Sequence, residues 1–272
     1  MQLKYRVACL SSMLLYFIIG CGGIAPFGPE DTQDTAITAS LNFSHGRILS
    51  LALTRILLQV SGKGIDTIEQ ELSLEGSTAR GQVKVPKNKD LIFTVTAYNE
   101  TMAVLSGSQP FNTKDGKTVQ INLDFLVAAL ILSPPTVTVK KDDTVTFSLS
   151  ARKVLDLGVV GARVQFDAAR LQVVDLQRED DFLTSQSGAV NQLVFTKDNT
   201  KGTVSLVIGI VPAAAAVSGE GTIAKIVFKT LQTGTTDVEL SLDAEVDSDL
   251  GFYDKNADPL YAIGLGSRIT VN

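Results

Sequence analysis

Along most of this chain, apolar residues recur at every second position, and the runs are cut by short stretches of Gly, Pro, Asp, Asn and Lys. In "LIFTVTAY", Phe93, Val95 and Ala97 alternate with Thr94, Thr96 and Tyr98. In "GARVQFDAARLQVVDLQ", Ala162, Val164 and Phe166 alternate with Arg163, Gln165 and Asp167. A period of two puts one set on a buried face and the other in water, which is strand spacing and cannot make one face of a helix. The second stretch therefore reads as a strand, a "DAAR" turn and a valine-rich second strand. The expected class is all-β, and a 44% hydrophobic content is enough to build real cores.

The amino terminus breaks this pattern. "MQLKYRVACLSSMLLYFIIGCGG" places Lys4 and Arg6 before an apolar run from Leu10 to Ile19, followed by small residues and Cys21. That order is a secretory signal, and the run is shorter than the roughly 20 apolar residues a membrane-spanning helix requires. Ile18-Ile19-Gly20-Cys21 also resembles the lipobox of bacterial lipoproteins, in which the chain is cut before the Cys and acyl chains are attached to it. The resemblance implies lipidation at Cys21 and a lipid-anchored, extracytoplasmic protein of the cell surface or outer membrane. Cleavage after residue 20 removes Lys4, Arg6 and no acid, leaving 22 basic against 29 acidic residues and a mature charge of −7. It also removes Cys9, so the mature chain has a single cysteine and no intrachain disulfide is expected.

The layout expected from these signals is a signal peptide (1–20), a Gly, Pro and acid-rich tether (21–35), and two β-sandwiches in series (36–126 and 127–272). In the first, "ITASLNF", "ILSLALTRILLQVSG", "IEQELSL", "ARGQVKV", "LIFTVTAYN" and "KTVQINLDF" read as strands. It resembles the immunoglobulin-like or transthyretin-like modules of bacterial lipoproteins, with "VPKNKDLIFTVTAYN" the most family-like phrase. "FLVAALILSPPTVTV" joins the halves. Its eight apolar residues cannot span a bilayer, so the last strand of one sandwich is expected to run almost directly into the first of the next. "TVTVKKDDTVTFSLSA" then reads as a hairpin or a sheet-switching pair.

In the second half, four phrases in order resemble the cohesin family: "VTV" with "DTVTFSL", then "RVQFDAARLQVVDLQ", then "GEGTIAKIVFKT", and finally "GFYDKNADPLYAIGLGSRITVN". The resemblance implies a nine-stranded jelly-roll-like sandwich that binds a dockerin-like protein module through one sheet face. In that family, side chains on the strand ending in the aromatic-Asp pair take part in the contact. Carried over by position, the partner-binding residues are Val159, Gly161, Arg163 and Gln165. Cellulosomal cohesins commonly have an Asn and an Asp at the first two. Val159 and Gly161 offer no equivalent hydrogen bonds, which puts a standard cellulosomal dockerin in doubt as the partner.

The chain lacks the residue sets of common chemistries. A net charge of −5 without a Lys/Arg cluster argues against nucleic acid, and the densest basic stretch, "KVPKNK", reads as a solvated turn. The one histidine, His45, follows Ser44 without a nucleophile elbow, and no soft-metal cluster can be assembled. Acids adjoin at Glu179, Asp180 and Asp181, and at Asp243, Glu245, Asp247 and Asp249, but adjacency is not the facing pair that glycoside hydrolysis needs. Asp254, Asn256 and Asp258 resemble the start of a calcium loop. Pro259 replaces the turn glycine and Leu265 the bidentate acid, so the segment reads as a polar hairpin turn, and any calcium is expected chiefly in the partner. No enzyme is expected. The alternatives to partner capture are a carbohydrate-binding module acting with polysaccharide breakdown, disfavoured by the absence of Trp, and a structural envelope spacer.

Overall fold

The computed structural model describes residues 34–42, 53–75, 78–242 and 250–272. Cys21, Ser44, His45 and the acids at 243–249 lie outside the described residues. No α-helix occurs among those described, and the only helical element is a 3₁₀ turn at Ala213–Ala215. The chain is all-β, as the alternation requires.

The first body comprises β1 (Asp34–Asn42), β2 (Arg55–Gly62), β3 (Ile68–Glu71), β4 (Ser73–Glu75), β5 (Thr78–Pro86), β6 (Asp90–Asn99), β7 (Met102–Asn112), β8 (Thr118–Asn122) and β9 (Asp124–Phe125). They form two sheets, β4-β5-β1-β8 and β3-β2-β6-β7-β9. The inward set of β6, Leu91, Phe93, Val95 and Ala97, is buried. The outward set builds a hydroxyl ladder, with Thr94 and Ser108 bonded at 2.7 Å. "IEQELSL", read above as one strand, is two. The chain turns at buried Leu72, so that β3 pairs β2 in one sheet and β4 pairs β5 in the other.

The second body comprises β10 (Ala128–Ser133), β11 (Thr136–Val139), β12 (Thr144–Phe166), β13 (Leu171–Arg178), β14 (Ala189–Asp198), β15 (Thr203–Val211), β16 (Val217–Thr230), β17 (Gly234–Ser241), β18 (Gly251–Asp254), β19 (Pro259–Leu260), β20 (Ala262–Leu265) and β21 (Ser267–Val271). The segments outnumber the nine expected strands because several change sheets. Pro134-Pro135 interrupts the ladder between β10 and β11, since proline gives it no N–H. β10 pairs β12 and β20, whereas β11 pairs β21. The "KKDD" segment is therefore a sheet switch and not a hairpin. β12 does the reverse, running through both sheets. Its residues 144–151 pair β16, and residues 159–166 pair β15.

β10 and β20 have both faces in apolar surroundings. Leu130 and Leu132 belong to the core of the second body. Ala129, Ile131, Ile263 and Leu265 belong to the core of the first, with Phe93, Leu105 and Phe125. This explains the continuous apolar run "FLVAALIL". A strand covered on both sides loses the alternation that a half-wet strand shows. The pair is one wall used by two cores. Each of Ile131, Ile263 and Leu265 contributes about 1.5–3 kcal/mol by leaving water.

Two outcomes follow from this wall. In urea denaturation, Leu265→Ala should destabilise the chain by about 2–5 kcal/mol. The fragment 127–272 expressed alone should unfold at lower urea than the same domain in the whole chain. Equal midpoints would show that the wall contributes nothing.

Candidate functional site

The face at issue is the outer side of the sheet made by β14, β15, the second half of β12, and β17 with β18. Its floor is set by alternation along β12. Val160, Ala162, Val164 and Phe166 enter the core, where Phe166 meets Phe228 edge-on at 5.1 Å. Val159, Gly161, Arg163 and Gln165 are thereby turned to the outer side. The turn that follows is closed by Asp167, whose carbonyl accepts from the Arg170 and Leu171 amides and whose carboxylate accepts from the Ala169 amide at 2.9 Å. Leu171 then returns to the core.

Register supplies the neighbours that the sequence alone could not assign. Val159 lies opposite Gly209 of β15 and Tyr253 of β18, and Gly161 lies opposite Val207 and Gly251. Arg163 lies opposite Ser205 and Ser241, and Gln165 opposite Thr203 and Glu239. β14 extends two of these rows with Val194 beside Val207 and Thr196 beside Ser205. The face is thus divided. One half is valine and glycine, and the other is hydroxyl, amide and charge around Arg163.

The glycines flatten the first half. A Cβ on Gly209 would find its nearest neighbour only at 3.9 Å, so the space above it is open. Gly251 has φ +122°, which L side chains rarely adopt, and the Tyr253 ring lies 3.6–3.7 Å from where its Cβ would be. Tyr253 donates its hydroxyl to the Leu250 carbonyl at 3.1 Å, which holds the ring along the sheet. A floor with few side chains lets a partner's backbone come close.

The bulge at Lys153 to Asp156 fixes the start of this strand. Lys153 and Asp156 have φ of 48° and 52°, a conformation that costs a residue with a side chain on the order of 1 kcal/mol or more. Three contacts hold it. Lys153 donates to the Phe125 carbonyl and pairs with Asp124 at 3.5 Å, the Asp156 amide donates to the Ser218 hydroxyl at 2.9 Å, and Lys255 pairs with Asp156 at 2.8 Å.

The other candidate residues are engaged locally. Glu179 pairs with Lys225 at 2.7 Å, and Asp180 takes both ends of the Arg178 fork at 2.5 and 2.7 Å. At the proposed calcium loop, the Asp254 carboxylate accepts from the Asn256 and Asp258 amides at 2.7 and 2.9 Å and from the Asn256 side chain at 3.2 Å. The Asp258 amide, then those of Asn256, hold its pKa below the ordinary carboxylate value. Among the described residues, no group of three or more His, Cys, Asp or Glu is placed to hold a metal.

A family model for the cohesin domain matches residues 131–264. This region is a cohesin domain. Solved structures similar to it include CaCohA2 from Clostridium acetobutylicum, at 21% identity over 54% of this chain and 91% of that one, with a TM-score of 0.41. A type II cohesin from the cellulosome of Acetivibrio cellulolyticus is 18% identical over 53% of this chain and 95% of that one, at 0.44. A third is in a type I cohesin-dockerin complex from Clostridium thermocellum, at 12% identity over 54% and 99% of the two chains, with a TM-score of 0.43. No curated protein matches the chain. Sequence reasoning placed the β12 residues of the cohesin domain on one side but missed Val207, Gly209, Gly251 and Tyr253. Their own alternation, around Ile208 and Phe252, carried the signal. What it lacked was the strand order.

The Asp254 turn gives a pH prediction. A carboxylate with a lowered folded-state pKa adds stability above its unfolded value, near 4, and that stability is lost as pH falls through the lower folded value. The Asn256 and Asp258 amides should therefore exchange faster as pH drops below about 4, after correction for the intrinsic rate. In Asp254→Ala they should already be fast at neutral pH.

Proposed function

We propose that this chain is a membrane-anchored surface lipoprotein whose cohesin domain captures a partner protein bearing a dockerin-like module. The observation that carries this reading is the cohesin domain itself, with Val159, Gly161, Arg163 and Gln165 together on one flat face of it. The mechanism is non-covalent. A partner helix or helix pair covers the valine and glycine half, burying apolar surface, while Arg163, Gln165 and the facing serines set register by hydrogen bonding. Cys21 anchors the chain, the first, immunoglobulin-like sandwich spaces the domain from the anchor, and any calcium requirement belongs to the partner.

The departure at the first two positions gives the partner its chemistry. Val159 and Gly161 can only be matched by an apolar or small surface, so a partner that puts a charge there would bury it unpaired. Such pairs discriminate by the cost of the wrong match.

The test is capture from the same organism's secreted and surface proteins by the whole mature chain, with and without a calcium chelator. The whole chain is needed because its two cores share a wall. Retention of a dockerin-bearing protein is expected, and Val159→Asp should weaken it at least tenfold with an unchanged melting temperature. Arg163→Ala should weaken it about fivefold to tenfold, the range for truncating an interface anchor. Capture that survives Val159→Asp undiminished would move the contact off this face. Depletion of the chain by an insoluble polysaccharide, with no protein retained, would favour carbohydrate binding instead.

A further inference from the structure

The end of the first sandwich remote from the cohesin domain is basic, although the chain as a whole is acidic. β1 and β8 run parallel and begin there, at Asp34 and Thr118, while β7 ends there at Asn112. β7 begins at the opposite end, where Leu126 bonds to Val104 and the chain enters the shared wall. The loops at the first end carry Lys63, Lys87, Lys89, Lys114 and Lys117, with Lys84 on the adjoining strand. All are exposed except half-buried Lys89. The acids at this end are Asp34, Asp66, Asp90 and Asp115, and Asp90 accepts a 2.6 Å hydrogen bond from Asn112. Six lysines against four aspartates give an excess of positive charge at one end of a chain whose net charge is −5.

The loops that carry these lysines are braced. Thr113 is 8% exposed, and its hydroxyl donates to the Pro86 carbonyl at 3.1 Å while accepting from the Lys89 amide at 3.0 Å. The Thr38 amide donates to the Lys117 carbonyl at 2.8 Å, tying the same platform to β1. Between them lies a cleft of about 520 Å³ lined by Lys87, Lys117, Thr38 and Gln82, with Asp34 at the start of β1.

We propose that this end of the first sandwich docks on anionic phospholipid headgroups. The position of the chain's own anchor supports that occupant. Asp34 is thirteen residues after Cys21, and a chain of that length spans at most about 45 Å. If Cys21 carries the lipid, the end that the tether reaches is the basic one, and the cohesin domain lies beyond it. Juxtamembrane lysines are attracted to anionic headgroups within a Debye length, and a covalent anchor supplies the local concentration that lets a modest contact hold. Docking would fix how far the cohesin domain stands from the membrane. The inference rests on the lipoprotein reading for its geometry, but the patch can be tested without the anchor.

The probe is the whole mature chain with Cys21→Ser, which carries no lipid, mixed with vesicles of equal parts phosphatidylcholine and phosphatidylglycerol, or of phosphatidylcholine alone. Sedimentation with the mixed vesicles only, weakening as salt is raised, is the expected result. Lys87→Gln with Lys117→Gln should lower partitioning about 25-fold, at roughly fivefold per lysine. Lys140→Gln with Lys141→Gln, in the cohesin domain, should leave it within about twofold. Absence of binding, equal binding to both vesicles, or an equal loss in the control pair would overturn the proposal. So would displacement by inorganic phosphate beyond that by chloride at equal ionic strength, which would mark a small-anion site. The mass of the native chain in the membrane fraction tests lipidation separately, so either reading can fail alone.

Discussion

Everything else in this molecule depends on the burial of β10 and β20 between two cores. A strand pair with one wet face can be removed from a sandwich without disturbing anything beyond that sandwich. Here Leu130 and Leu132 point one way while Ala129 and Ile131 point the other. The two bodies therefore cannot separate without exposing Ile131, Ile263 and Leu265, a cost of several kcal/mol in a molecule whose net stability is of the same order. A tandem of beads on a flexible linker would be joined through a polar, exposed segment. The chain instead passes between its bodies through a continuous apolar strand, so the first body is part of the scaffold of the second.

That constraint extends to the face proposed to bind. The wall pairs with the first half of β12, and the proposed contact residues lie on its second half. Between them stands the bulge at Lys153 to Asp156, held in left-handed backbone conformations by contacts that reach both ways. Lys153 bonds to the carbonyl of Phe125 in the first body, and Asp156 bonds to Lys255 in the hairpin that carries Tyr253. The strain is offset by these anchors, and its effect is positional. It rotates β12 from one sheet into the other so that Val159 begins the outer row, and it leaves Leu155 at 70% exposure on the turn.

How much of this was legible in the sequence depended on whether a signal was local. Alternation at Phe93, Val95 and Ala97 and at Ala162, Val164 and Phe166 reported burial correctly, because a strand with one wet face writes its orientation into every second residue. The proline pair marked the sheet switch through a missing N–H, although hairpin and switch stayed open until pairing was known. "IEQELSL" misled because one buried leucine, Leu72, is compatible with continuation or with a turn. "FLVAALIL" was read for its length, which excluded a bilayer, whereas its lack of alternation was the informative property. The face was half legible. Val159 to Gln165 lie on one strand, but Gly209 and Tyr253 reach it through pairings some fifty and ninety residues away, and no local pattern encodes strand order.

The division of the face argues against reading it as generic surface. Solvated strand polarity would distribute polar residues along every outward row. Here the rows through Gln165 and Arg163 are polar throughout, whereas those through Gly161 and Val159 present Val207, Gly251, Gly209 and Tyr253. Water gains nothing from a valine and glycine floor, and glycine inside a strand weakens it by roughly 0.5–1 kcal/mol relative to alanine. The core side of the same strands shows no such economy, with Val160, Ile208 and Phe252 all buried. Small residues kept at a cost on the outer side, where nothing in the chain crowds Gly209, are best accounted for by a surface that must be approached closely. The polar half then decides which surface is accepted. A partner has to bring an acceptor to Arg163 while keeping charge away from Val159, and satisfying both fixes its direction across the strands as well as its identity.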